Sequence, residues 1–143
     1  MVTFRRMLVV WDGSDSAEAA LRMATSYADA LGSEIEALTV FDGRSGATSK
    51  SDTVEAGPEY SRVTTRFHAR FGDGRVVFRA IASRANPGRV LAEYADDHGF
   101  DLIAVGRPAT DGSGDHDHAV QALHRHATAT VLAVVTERTR SSL

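Results

Sequence analysis

Cysteine is absent from the chain. That one absence excludes disulfides, thiolate nucleophiles and zinc–thiolate centres. Lys50 is the single lysine among sixteen basic residues, an arginine bias to which no functional weight attaches. No apolar run approaches the roughly 20 residues of a membrane span; the stretch from Met7 to Trp11 stops at Asp12. The opening Met1-Val2-Thr3-Phe4-Arg5-Arg6 lacks the apolar core and small-residue cleavage site of a signal peptide, so a cytoplasmic location and no membrane partner are expected. The net charge of −3 supplies no overall attraction for nucleic acid, and no nucleic-acid partner is expected. The Walker phosphate loop, the Gly-x-Gly-x-x-Gly fingerprint and the Gly-x-Ser-x-Gly elbow are all missing.

What remains is a globular composition, 43% hydrophobic and 24% charged, of a length suited to one domain over residues 1–143. Strand-like and helix-like segments alternate throughout. Met7-Leu8-Val9-Val10-Trp11 is a continuous apolar run, as in a strand buried on both faces. Asp12-Gly13-Ser14 breaks it, and Asp15 with Glu18 approximates a capping box. Ala17, Ala20, Leu21, Ala24, Tyr27, Ala28 and Leu31 then fall at helical spacing, with Gly32 placed to stop the helix. A second strand is expected over 35–41, a polar loop over 42–57, and a helix carrying Tyr60, Val63, Phe67 and Phe71. A third strand follows over 75–82. Asn86-Pro87-Gly88 starts a helix, Asn as cap and Pro in the first turn, and Gly99 ends it. A fourth strand over 101–105, a polar loop from Gly106 to Asp117, a helix over 119–127 and a fifth strand over 131–135 complete the order βαβαβαβαβ, with a polar tail over 136–143. That order predicts a five-stranded parallel sheet with helices on both faces. Ligands of such sheets bind beyond the carboxyl ends of the strands, at the switch in strand order, expected here between the first strand and the fourth. Asp12 closes an apolar strand at that place. It has two readings: a functional one, an acceptor for adenine or ribose or a metal ligand, and a structural one, a turn residue bonding its own backbone.

Three blocks resemble the universal stress protein family. Residues 7–21, an apolar strand, Asp12-Gly13-Ser14 and an Ala/Leu-rich helix, look like that family's opening. Asn86-Pro87-Gly88 leading to Phe100-Asp101-Leu102-Ile103-Ala104-Val105-Gly106 is similar to its third helix and fourth strand. Arg125-His126-Ala127-Thr128-Ala129-Thr130 followed by Val131-Leu132-Ala133-Val134-Val135 resembles its end. The resemblance implies a Rossmann-like fold of the adenine nucleotide α-hydrolase type and a non-catalytic stress-response protein. It also implies a homodimer joined through the last strand, with Val131, Leu132, Ala133, Val134 and Val135 at the interface. An unpaired apolar edge strand calls for such cover. By the same resemblance, Asp12 and the backbone of Val40 would hold adenine, with Gly13 and Ser14 also among the nucleotide-binding residues. Val105 and Gly106 would border the ribose. The turn Gly112-Ser113-Gly114 would stand where phosphates are gripped, with AMP or ATP (and Mg²⁺) as the cofactor.

The phosphate loop departs from the family's form, Gly-x-x-Gly, nine residues, then Gly-Ser or Gly-Thr. Gly106 is kept, but Ala109 stands where the next glycine belongs, and no register restores the final pair. Pro108 removes a backbone donor. Asp111, Asp115 and Asp117 put three carboxylates where a triphosphate would lie. A like-charge contact near a surface costs about 4 kcal/mol at an effective dielectric of about 20, more than the about 1.5–3 kcal/mol of a hydrogen bond to a charged group. Weak or absent ATP binding is therefore expected, with AMP or adenosine favoured over ATP unless Mg²⁺ intervenes.

His116, His118, His124 and His126 cluster with these aspartates, yet no metal site is expected. His118 and His126 lie eight residues apart on a helix, His124 and His126 point to different faces, and Asp117 reads as a helix cap. No catalytic residue is expected either: Ser14 and Ser113 lack an elbow, and His68 and His98 read as surface positions. Asp12-Gly13-Ser14-Asp15-Ser16 echoes the pyrophosphate loop of related hydrolases but lacks its second glycine.

Overall fold

The computed structural model describes residues 4–42, 58–72, 74–108 and 114–136. They form nine elements: β1 (Arg6–Val10), α1 (Asp15–Leu31), β2 (Glu34–Asp42), α2 (Pro58–Phe71), β3 (Val77–Ser83), α3 (Pro87–Asp97), β4 (Leu102–Pro108), α4 (Gly114–His126) and β5 (Thr130–Thr136). The sheet is parallel throughout, in the order β3-β2-β1-β4-β5.

The continuous apolar run of β1 is explained by its central position. Met7, Val9 and the following Trp11 belong to one core, with Ala17, Leu21 and Ala24 of α1 and Val63, Phe67 and Phe71 of α2. Leu8 and Val10 face the other core, with Leu91 and Ala95 of α3 and Val120 and Leu123 of α4. Alternate side chains of one strand thus enter opposite layers. The pairing of α1 with α2 on one face and α3 with α4 on the other is what right-handed crossovers require for this strand order. It places the switch between β1 and β4, as expected from the sequence.

Several local expectations need correction. The cap of α1 is Ser14, not Asp15: Ser14 is extended, with φ −81° and ψ 164°, and its Oγ accepts from the Ala17 N–H. Asp15 and Glu18 instead face Arg66 and Arg70 of α2. The third strand begins at Val77, not at Arg75. The fourth runs on through Gly106 and Arg107 to Pro108, because β5 continues to pair there, Gly106 with Val134 and Arg107 with Val135. The last helix begins at Gly114, so Asp117 lies inside its first turn and is not its cap. Carboxylates are favoured in a first turn by the helix dipole, which lets a polar segment without apolar periodicity be helical. Asp42 ends β2 and Thr136 ends β5; the rest of the expected 42–57 loop and of the tail lies outside the described residues.

Other punctuation follows the sequence. Gly32 sits in the left-handed region at φ +74°, and its N–H bonds to the Ala28 carbonyl to close α1. Asn86 caps α3 through Oδ1, which accepts from Gly88 and Arg89, with Pro87 in the first turn.

Candidate functional site

At the carboxyl end of β1 the chain must turn sharply to enter α1. Asp12 Oδ1 accepts from the Ser14 N–H at 2.9 Å, and Gly13 takes φ +79°, a region favouring glycine. Asp12 therefore does make the local turn bond foreseen as its structural reading. Its side chain is also exposed at the mouth of the switch, and a carboxylate has about four acceptor positions, so the turn bond does not exhaust it.

The wall opposite is β4. Val105 is buried in the α3/α4 core. Gly106 faces α1, where a Cβ would stand 2.1 Å from the Ser16 carbonyl oxygen. Glycine is thus required at 106 by close approach of helix backbone to strand. On the other side of β1, the β1–β2 ladder runs to Val10 paired with Leu38, and Val40 lies two residues beyond it. The Trp11 carbonyl accepts the Thr39 hydroxyl at 2.6 Å where that ladder ends. Asp12, Gly13, Ser14, Val40, Val105 and Gly106 therefore converge at the carboxyl ends of three neighbouring strands.

Two further residues join them that sequence reasoning passed over. Val10 and Val40 are both half-buried on the α3/α4 face, an apolar floor at the strand ends. Arg107 follows Gly106 in β4, also half-buried. Val10 was hidden in a run that reads as pure core, and Arg107 in a segment that reads as loop. Gly112 and Ser113 lie outside the described residues. Gly114 opens α4, whose first turn contains Asp115 and Asp117.

The α2 helix closes the α1 side. Trp11 Nε1 donates to the Val63 carbonyl at 3.1 Å, and the indole, 1% exposed, meets Phe67 and Phe71 edge-on at 5.8 Å each. Arg66 bonds Asp15 at 2.6 Å, and this bond is the main cause that raises its pKa above the ordinary value. Asp15 is nearly fully exposed, so the pair adds little stability.

A second polar cluster lies at the opposite end of the sheet. Glu36 is buried, accepts from Arg79 at 3.0 Å, and accepts from the Tyr94 hydroxyl. Burial first, then the bond to Glu36, pushes the Tyr94 hydroxyl up to about 12. His98 is exposed and stacks on Tyr94 at 4.0 Å; His68 is exposed on α2. Among the described residues, no group of three His, Asp or Glu side chains is placed to hold a metal ion, and no helix is long and apolar enough to cross a membrane.

The sequence model of the universal stress protein family matches residues 3–134. No curated protein is significantly similar in sequence. Among solved structures, universal stress protein UspA from Lactobacillus plantarum aligns with a TM-score of 0.67 at 22% identity, covering 94% of this chain and 99% of its own. The Archaeoglobus fulgidus universal stress protein in complex with dAMP aligns at 0.62 and 19% identity, covering 94% and 99%. An Arabidopsis thaliana universal stress protein family protein with AMP bound aligns at 0.62 and 13% identity, covering 97% and 95%. At these identities the likeness is one of fold.

Proposed function

The chain belongs to the universal stress protein family, and from that premise we propose that it is a cytoplasmic, non-catalytic stress-response protein. It acts as a homodimer of single-domain subunits, with a switch-point crevice that takes an adenine nucleotide through its base, its ribose and one phosphate. The observation that carries this reading is the convergence of Asp12, half-buried Val10 and Val40, and Val105–Arg107 at the ends of β1, β2 and β4. Structural neighbours with AMP and dAMP bound support the ligand class. In this reading Asp12 and the Val40 backbone hold the adenine edge, Val10 and Val40 lie under its face, and Val105 and Gly106 border the ribose.

The outer phosphates of ATP are poorly served. Pro108 offers no N–H, and Asp115 and Asp117 occupy the first turn of α4, the end that would otherwise favour an anion. The like-charge cost falls on the β- and γ-phosphates and spares AMP.

Isothermal calorimetry with AMP and ATP, each with and without Mg²⁺, tests the reading. AMP is expected to bind more tightly than ATP in the absence of Mg²⁺, and phosphate release from ATP is expected to stay at the uncatalysed rate. Absence of heat with both nucleotides would refute the nucleotide-binding part; turnover of ATP would refute the non-catalytic part.

A further inference from the structure

We propose that Arg107 is the phosphate-binding residue of the crevice and makes it selective for an adenosine monophosphate over the unphosphorylated nucleoside, an inference that rests on the nucleotide-binding reading above. The placement comes from register. Met7, Leu8 and Val9 of β1 pair with Leu102, Ile103 and Ala104 of β4. The ladder stops at the rung of Val9 and Ala104, where the chain after β1 turns away through Asp12 and Gly13, while β4 runs on through Gly106 and Arg107 to Pro108.

The face comes from alternation. Leu102 and Ala104 belong to the α1/α2 core and Gly106 abuts Ser16 of α1, whereas Ile103 and Val105 belong to the α3/α4 core. Arg107 therefore shares its face with Val105, Val10 and Val40, the floor on which a base and ribose would rest. Its rung partner on β5 is Val135, an apolar residue. A cation one residue from the end of the switch strand, half-buried and on the ligand's own face, is placed for the first phosphate and not for the base.

The chemistry fits one phosphate group. A guanidinium presents five N–H donors in a planar fork that matches two phosphate oxygens. That number lets it keep a protein partner while binding an anion. Beyond it, Pro108 offers no backbone N–H for further phosphates. Arg107 thus takes over, through one side chain, the work that a glycine-rich loop does through backbone N–H groups.

The test is calorimetry of AMP and adenosine against the full-length protein and its R107A variant, with thermal melts of both proteins. The wild type is expected to bind AMP about tenfold to a hundredfold more tightly than adenosine, the range of a charge-assisted hydrogen bond. R107A is expected to bring AMP down to the affinity of adenosine and leave adenosine unchanged. Preference for AMP persisting in R107A, or equal binding of both ligands by the wild type, overturns the role of Arg107 while leaving the crevice as a nucleotide site. Loss of both ligands in R107A assigns the side chain to the fold and also overturns the proposal. Neither ligand binding to the wild type removes the proposal and the reading beneath it. R107K, which keeps the charge without the fork, is expected to recover only part of the AMP preference.

Discussion

Gly106 of β4 lies so close beneath Ser16 of α1 that a Cβ at position 106 would stand 2.1 Å from the Ser16 carbonyl oxygen and 2.6 Å from the Ala17 nitrogen. Both neighbours are helix backbone, held by the cap that Ser14 provides, so neither can swing aside as a side chain would. The first turn of α1 is thereby fixed over the switch, and with it the positions of Asp12 and Ser14.

Adding one methyl group at this contact forces α1 away from the sheet. G106A is expected to lose about 1–3 kcal/mol of stability, seen as a fall of roughly 3–10 °C in the thermal midpoint. An unchanged midpoint would mean that α1 does not press on β4.

Trp11 joins the β1 turn to α2 through its bond to Val63. W11F keeps an aromatic ring against Phe67 and Phe71 but loses that bond and part of the packing. It is expected to cost about 1–3 kcal/mol in urea denaturation, and W11A about 3–5 kcal/mol. Trp11 is the single tryptophan and is buried. Its emission should therefore be blue-shifted in the native protein and move to the red in one step with unfolding.

The Tyr94 hydroxyl, half-buried and bonded to Glu36, keeps its proton to about pH 12, against 10.0 for an ordinary tyrosine. The folded state therefore holds this proton more tightly than the unfolded chain. Its contribution to stability is complete below about pH 10 and is lost as pH rises through about 12. A phenolate absorbance titration of the native protein is expected to show a late step that Y94F abolishes. The same late step in Y94F would refute the assignment.

The two edges of the sheet are unlike. β3 exposes Val77 but carries Arg79, which is bonded to Glu36. β5 has no charged residue from Thr130 to Thr136 and exposes Leu132 at 39% and Val135 at 55%. Edge strands are ordinarily protected by charge or cover, and β5 has no protecting charge of its own. V135R is expected to be monomeric in light scattering at a concentration where the wild type is a dimer, while V77R remains a dimer. A monomeric wild type would contradict the proposed assembly.

Much of the fold was legible because its signals are local. Apolar runs marked the strands, Gly32 and Asn86-Pro87 marked helix ends, and the alternation of elements implied the parallel sheet. Asp12 was legible as the end of an apolar run before a glycine. The beginning of α4 was not, since Asp115, His116, Asp117 and His118 show no apolar period and are held by a helix end that the sequence pattern does not reveal. The strand character of Gly106–Pro108 depends on pairing with β5, which is a tertiary contact. Val63, the partner of Trp11, and Tyr94, a partner of Glu36, lie 52 and 58 residues away in the chain, and only the folded topology brings them together.

Amide chemical-shift mapping during an AMP titration tests most directly whether the switch-point crevice is the binding site. Saturable shifts are expected at Asp12, Gly13, Val40, Gly106 and Arg107, with Glu36, Tyr94 and His98 at the far end of the sheet unmoved. Shifts centred on Glu36 and Tyr94, or no saturable shifts at all, would contradict the account.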